Sequence, residues 1–297
     1  MRNPFKLLYT FFADEVNRFY FFQGGRKSGL LDDETRMWRC FLYLKSRYEP
    51  FLNSLPEFTL PENPINPRII WWCWLQGENK APELCQACLR SLRRELPDFR
   101  IQVITLDNLS EFISIPDFIQ DKFQRGIISP THYSDIIRTL LLIEYGGVWI
   151  DSTVFCTGYR FPVFDYPFFV YQNWKFNQQN SAIASNWLIS SCKAHPLLIT
   201  TKELLYEYWK SNEKIVNYYI FHLFFHIAVE RYPTLWYLTP RYSNIPPHIL
   251  QFELFDQYNE ARFEQIAAMS DFHKLTWKYP NLNIFPEDSF ISHLVQL

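Results

Sequence analysis

The sequence lacks a charge imbalance, a bilayer-length apolar run and a phosphate-loop glycine pattern. A net charge of −2 over 297 residues gives no whole-chain attraction to a polyanion, so nucleic acid is not an expected partner. The apolar segment from Phe5 to Phe22 is interrupted by Lys6, Asp14, Glu15 and Arg18, short of the roughly 18 uncharged residues a spanning helix takes. The N-terminus lacks a basic start with a clean apolar core and a small-residue cleavage site. The six cysteines are therefore expected to be reduced, and the chain cytoplasmic. Gly24, Gly25 and Gly29 have the wrong spacing for a phosphate loop, and no Lys-Ser or Lys-Thr follows in register. His222 and His226 stand four apart, but Leu223 fills the place of a metalloprotease glutamate, so that hydrolase signature is absent.

Aromatic residues are abundant. The 28 Phe, 18 Tyr and 10 Trp exceed what a core of this size absorbs, so some are expected to line a cleft, where aromatic faces suit sugar rings and nucleobases. At 48% hydrophobic and 20% charged residues the chain is globular. Residues 1 to 22 read as an amphipathic helix packed on the domain, with peripheral association on the inner face of the cell membrane as the alternative. A turn follows, then a second helix from Glu34 to Leu55, and Pro56, Pro61, Pro64 and Pro67 mark an extended linker. This divides the chain into a helical N-terminal appendage, 1–60, and a main domain, 61–297.

The main domain begins with the apolar run Arg68–Leu75, a buried strand. A helix over Pro82–Leu96 and a strand over Arg100–Leu106 complete a βαβ unit. Further strands are expected at Phe168–Tyr171 and Asn186–Ser191, and a helix at Leu197–Trp209. The fold class is thus α/β, a mixed central sheet flanked by helices. Ligands of such folds meet the carboxyl ends of strands, which places Trp74 and Asp107 at the crevice. Residues 132 to 153 carry the strongest signal. Ile136, Ile137, Leu140, Leu141 and Ile143 recur at helical spacing, Ser134 or Asp135 can cap the helix, and Gly146-Gly147 can end it. In the strand that follows, Val148 and Ile150 point to one face, Trp149 and Asp151 to the other. Asp135 and Arg138 share a helix face with access to the same crevice.

The series Ser134-Asp135, Arg138, Gly146-Gly147 and Asp151 resembles the sugar-nucleotide site of retaining glycosyltransferases with the GT-A fold, and more narrowly the bacterial capsular polysaccharide synthesis glycosyltransferases. The resemblance covers about residues 66 to 278. It implies a GT-A-like domain that takes a sugar from a nucleotide-sugar donor to a glycan or lipid-linked acceptor, with retention of configuration. Asp151 matches the first aspartate of the Asp-x-Asp pair, whereas Thr153 stands where the second would be. The resemblance also implies that Trp74 receives the base and that Asn186 approaches a sugar; Asp107, from its place just after the second strand, either contacts base or ribose or caps the next helix. The resemblance gives His222 an acceptor-side role, and puts His273, Lys274 and Lys278 of the closing Phe-His-Lys-Leu-Thr-Trp-Lys segment at the diphosphate. Two solutions for the diphosphate's charge stay open. Either a divalent metal, manganese or magnesium, is held by Asp151 and His273, or Lys274 and Lys278 replace it. The alternative function is a non-catalytic carbohydrate-binding scaffold, in which Thr153 records lost catalysis.

Overall fold

Five consecutive apolar residues after Pro67 and Arg68, Ile69 to Cys73, set the centre of the molecule. The computed structural model describes residues 33–173, 181–278 and 286–297; the helix expected over residues 1–22 and the turn after it lie outside them. Ile69–Cys73 forms β1, paired in parallel with β2 (Arg100–Ile104) on one side and with β3 (Gly147–Ile150) on the other. β3 then pairs antiparallel with β6 (Ala184–Ser191), which pairs antiparallel with β5 (Phe168–Gln172), and β7 (Tyr242–Ser243) closes the edge parallel to β5. The order is β2-β1-β3-β6-β5-β7. A mixed α/β sheet flanked by helices, the class expected from the sequence, is what the chain forms.

Strand alternation divides the core between the two faces of this sheet. Ile70, Trp72, Val148 and Ile150 join Cys85, Leu89 and Leu92 of helix α2 (Glu83–Glu95). Trp71 and Trp149 face the opposite cluster, with Ile136, Ile137 and Leu141 of α3 (Pro130–Tyr145). Each such aliphatic side chain removed from water contributes about 1.5–3 kcal/mol, which is why a strand this apolar takes a central position. Cys85 and Cys88 are buried free thiols one helical turn apart.

The described part of the expected appendage does not form a core of its own. Helix α1 (Asp33–Ser54) buries Cys40, Phe41, Leu44 and Tyr48 in the same cluster as α4 (Pro196–Ser211) and α5 (Ile220–Arg231). The proline-containing segment follows this helix directly.

Two glycines bring α3 and β3 into place. Gly146 and Gly147 have φ of 72° and 94°, the left-handed region that favours glycine. A Cβ on Gly147 would lie 2.5 Å from Ile69 Cγ2 and 2.6 Å from the Ile69 carbonyl oxygen, so only glycine lets β3 lie against β1. A small second sheet completes the frame. β4 (Val154–Cys156) and β8 (Phe272–Lys274) pair antiparallel, with Val154 opposite Lys274 and Phe155 opposite His273. The Leu275 amide donates to the Thr153 carbonyl at 2.8 Å. This pairing carries the C-terminal basic segment to the end of β3.

Candidate functional site

Asp151 follows the last residue of β3 and opens into a cleft of about 560 Å³, walled by Trp74, Arg138, Trp149, Thr153, Lys274 and Trp277 among others. The volume suits a drug-sized or nucleotide-sized ligand. Because Trp149 lies two residues back on the same face, its indole Nε1 donates to Asp151 Oδ1 at 2.9 Å. Burial pushes the Asp151 carboxyl up, but the charges of Lys274 and Arg138 and the Trp149 hydrogen bond outweigh it and hold the group below the usual carboxylate range. Asp151 therefore stands ionised at neutral pH.

Arg138 ties the helix to the strand. Its guanidinium lies 3.3 Å from Asp135 Oδ1 and 3.4 Å from Asp151 Oδ1. It donates to the Asn186 carbonyl at 2.8 Å and to Ser134 Oγ at 3.0 Å, and stands 4.9 Å over the Trp149 ring. Arg138 and Asp135 are 3% and 4% exposed. Arg138 nevertheless forms part of the cleft wall, whereas Asp135 sits behind it and accepts from the Asn186 side-chain amide at 2.8 Å. Asp135 and Asn186 thus both contact Arg138 and stand behind the cleft wall. Ser134, expected as a helix cap, is inside α3. The cap is Ser129, whose Oγ accepts from the His132 amide, with Pro130 at the first helical position.

Burial raises the Asp135 carboxyl from 3.8 to about 7; Arg138 opposes the rise and Asp151 adds to it. The folded state then keeps a proton that the unfolded chain releases. The stability this supplies is full below pH 3.8 and is lost as pH rises through about 7. Asp135→Asn removes the titration, so the thermal midpoint of the wild type minus that of the variant should fall between pH 5 and 8. Thermal scans of both proteins at matched pH check this, since the histidine contributions cancel in the difference.

Lys274 and His273 part company at the next step. Consecutive residues of a strand face opposite ways, so Lys274 enters the cleft and His273 turns inward. The Lys274 ammonium lies 3.3 Å from Asp151 Oδ2 and donates to Thr153 Oγ1. His273 is fully buried, its Nε2 3.1 Å from Thr157 Oγ1, and burial pushes its imidazole down to about 4. The metal pair read from the sequence, Asp151 with His273, is not assembled. Among the described residues no three His, Cys, Asp or Glu side chains stand where they could share an ion, and an ammonium lies between the Asp151 and Thr153 side chains. This donor set does not fit a divalent metal.

The remaining expected residues separate. Trp74 lines the cleft, its ring 5.7 Å edge-on to Trp277, and Lys278 lines it at the rim, 5.9 Å from the Trp277 ring. Asp107 is exposed and is not part of the cleft wall. Neither does it cap the next helix, because Asn108 takes that position. His222 also stays outside the wall. It is pushed down to about 3, first by burial and then by the Arg138 charge, and its Nδ1 has no hydrogen-bond partner among the described residues. His226 bonds the Ser181 carbonyl at 2.9 Å, so the two histidines do not converge on an ion. The sequence reading missed Trp277 and Tyr218 as cleft residues. Trp277 was findable from its place inside the basic closing segment; Tyr218 carried no signal beyond its aromatic run.

A family model for capsular polysaccharide synthesis proteins matches residues 25–294. Over 137 residues the chain is 28% identical to "Inositol phosphoceramide mannosyltransferase 3" of Schizosaccharomyces pombe, covering 45% of this chain and 35% of that protein. It is 31% identical over 100 residues to "Glycosyltransferase afumC" of Aspergillus fumigatus, covering 31% of this chain and 26% of that one. The chain thus spans about a third or less of the length of these two curated relatives. Among solved structures, "PaToxG Glycosyltransferase" is similar with a TM-score of 0.41 and 16% identity, over 80% of this chain and 95% of that one. The family match takes in the central sheet, the Arg138 and Asp151 cleft and the strand that carries Lys274, and on that extent the chain belongs to the capsular polysaccharide synthesis protein family.

Proposed function

We propose that this chain is a glycosyltransferase with a GT-A-like domain, moving a sugar from a nucleotide-diphosphate donor to a glycan or lipid-linked acceptor in surface polysaccharide synthesis. The observation that carries the reading is the convergence of Arg138, Asp151 and Lys274 on one aromatic-walled cleft at the carboxyl end of β3. Three cationic side chains, Arg138, Lys274 and Lys278, face one carboxylate in the described wall, a balance suited to an anionic diphosphate. The matched fungal relatives carry the names of a mannosyltransferase and a glycosyltransferase, which supports sugar transfer as the reaction.

In the reaction the bond from the anomeric carbon to the diphosphate oxygen breaks, and its electron pair leaves with the diphosphate. The acceptor hydroxyl oxygen bonds the same carbon from the same face, and its proton passes to the leaving phosphate. Configuration is retained. Lys274 and Arg138 stabilise the developing negative charge, and Asp151 accepts from sugar hydroxyls beside the carbon that becomes positive. Asp135 and Asn186 keep the guanidinium aimed. Trp74 and Trp277 supply the faces on which base or sugar packs.

A thermal-shift panel of UDP-, GDP- and CDP-sugars tests this. A donor that binds only the folded state raises its stability by about 2.7 kcal/mol at one hundred times its dissociation constant. One nucleotide sugar should raise the midpoint, and proton NMR of the product should show the donor's anomeric configuration. Binding of oligosaccharide with no response to any nucleotide would favour the non-catalytic scaffold.

A further inference from the structure

Just past the end of β3 the side chains of Asp151 and Thr153 are bridged by a third side chain of the protein, the Lys274 ammonium. Lys274 reaches this point because β8 pairs with β4 in a register that sets it opposite Val154. An ammonium has three N–H donors. One is directed at Asp151 Oδ2 at 3.3 Å and a second at Thr153 Oγ1. The third remains for the cleft, into which Lys274 opens with its side chain 21% exposed. Threonine suits this arrangement where aspartate would not, since it accepts from the ammonium without adding a second negative charge beside an incoming phosphate. Lys278 at the rim and Arg138 in the wall add positive charge on either side.

We infer that Lys274, clamped by Asp151 and Thr153, is a built-in cation that takes the place of a divalent metal, so that the nucleoside diphosphate is bound and its leaving charge neutralised without an added ion. This rests on the reading of the cleft as a nucleotide-diphosphate site. The lysine is held before the ligand arrives, so little of its side-chain freedom is lost on binding, and the charge-assisted hydrogen bond to phosphate counts nearly in full.

The test is calorimetric binding of UDP and GDP, each in chelator and in manganese. The wild type should bind one of them equally well in both. Lys274→Met should weaken that binding roughly 10- to 100-fold, the value of one charge-assisted hydrogen bond, and manganese should not restore it. The double variant Thr153→Asp with Lys274→Ala, which supplies the missing carboxylate and vacates the ammonium's place, should bind poorly in chelator and recover in manganese. Affinities are compared at equal folded fraction, measured by thermal unfolding of each protein, so a destabilised Lys274→Met does not imitate the effect. Loss of wild-type binding in chelator, an unaltered affinity in Lys274→Met, or a double variant indifferent to manganese would each overturn the lysine's role while leaving the cleft a nucleotide site. No binding of either nucleotide by the wild type in any condition would instead overturn the underlying reading and the inference with it.

Discussion

Asp151→Asn should lower sugar transfer by roughly 10²- to 10³-fold, the loss seen when one preorganised electrostatic contact to a transition state is removed, while the protein stays folded. The substitution keeps the shape and the Oδ1 acceptor for the Trp149 indole, 2.9 Å away. What it removes is the charge that balances Arg138 and Lys274. The amide group then faces an ammonium 3.3 Å from the present Oδ2, so the lysine loses its clamp and the sugar side loses its carboxylate. Both halves of the developing charge separation are affected, which is why the effect exceeds that of Lys274→Met on binding alone. Steady-state transfer kinetics, read beside a thermal unfolding curve for the same preparation, check it. Undiminished kcat/KM in a folded Asp151→Asn protein would take this carboxylate out of the reaction.

How much of this site was readable beforehand depends on how local its causes are. The alternation Val148, Trp149, Ile150, Asp151 fixed the faces of β3 from sequence, and the structure has Trp149 and Asp151 on one side as that alternation requires. The same rule separates His273 from Lys274. Placing both at the diphosphate went against it, and the buried imidazole beside Thr157 is the consequence. The start of α3 was also legible, in Ser129-Pro130, a cap residue followed by a proline suited to the first turn; the polar Ser134-Asp135 pair drew the boundary inward. The linker prolines concealed that Phe41, Leu44 and Tyr48 form a core-facing stripe, because a helix's partners lie far away in sequence. The Lys274 contact with Thr153 spans 121 residues and the Asn186 contact with Asp135 spans 51. No local pattern encodes such pairings; they follow only once the sheet order is known.

Replacing Arg138 with leucine should cost about 3–5 kcal/mol of stability, the usual consequence of stripping a buried charge of its partner, and should abolish transfer as well. The guanidinium serves Asp135, Asp151, the Asn186 carbonyl and Ser134 together and lies over the Trp149 ring. A lysine offers one point charge and no planar fork, so Arg138→Lys recovers only part of the loss. Of the two carboxylates left behind, Asp151 still has Lys274, whereas Asp135 keeps only the Asn186 amide. The penalty therefore falls mainly on Asp135, and Asp135→Asn in the same chain should return a substantial part of it. A double-mutant cycle from urea unfolding midpoints measures the coupling. The pH dependence gives an independent check. With Arg138 present the Asp135 carboxyl titrates near pH 7, and the guanidinium is what opposes a further rise. Without it the carboxyl holds its proton to higher pH and, once protonated, no longer needs a counter-ion. The destabilisation by Arg138→Leu should accordingly shrink as pH falls from 8 to 5, and a penalty constant across that range would mean that packing against Trp149, not charge, is what Arg138 contributes.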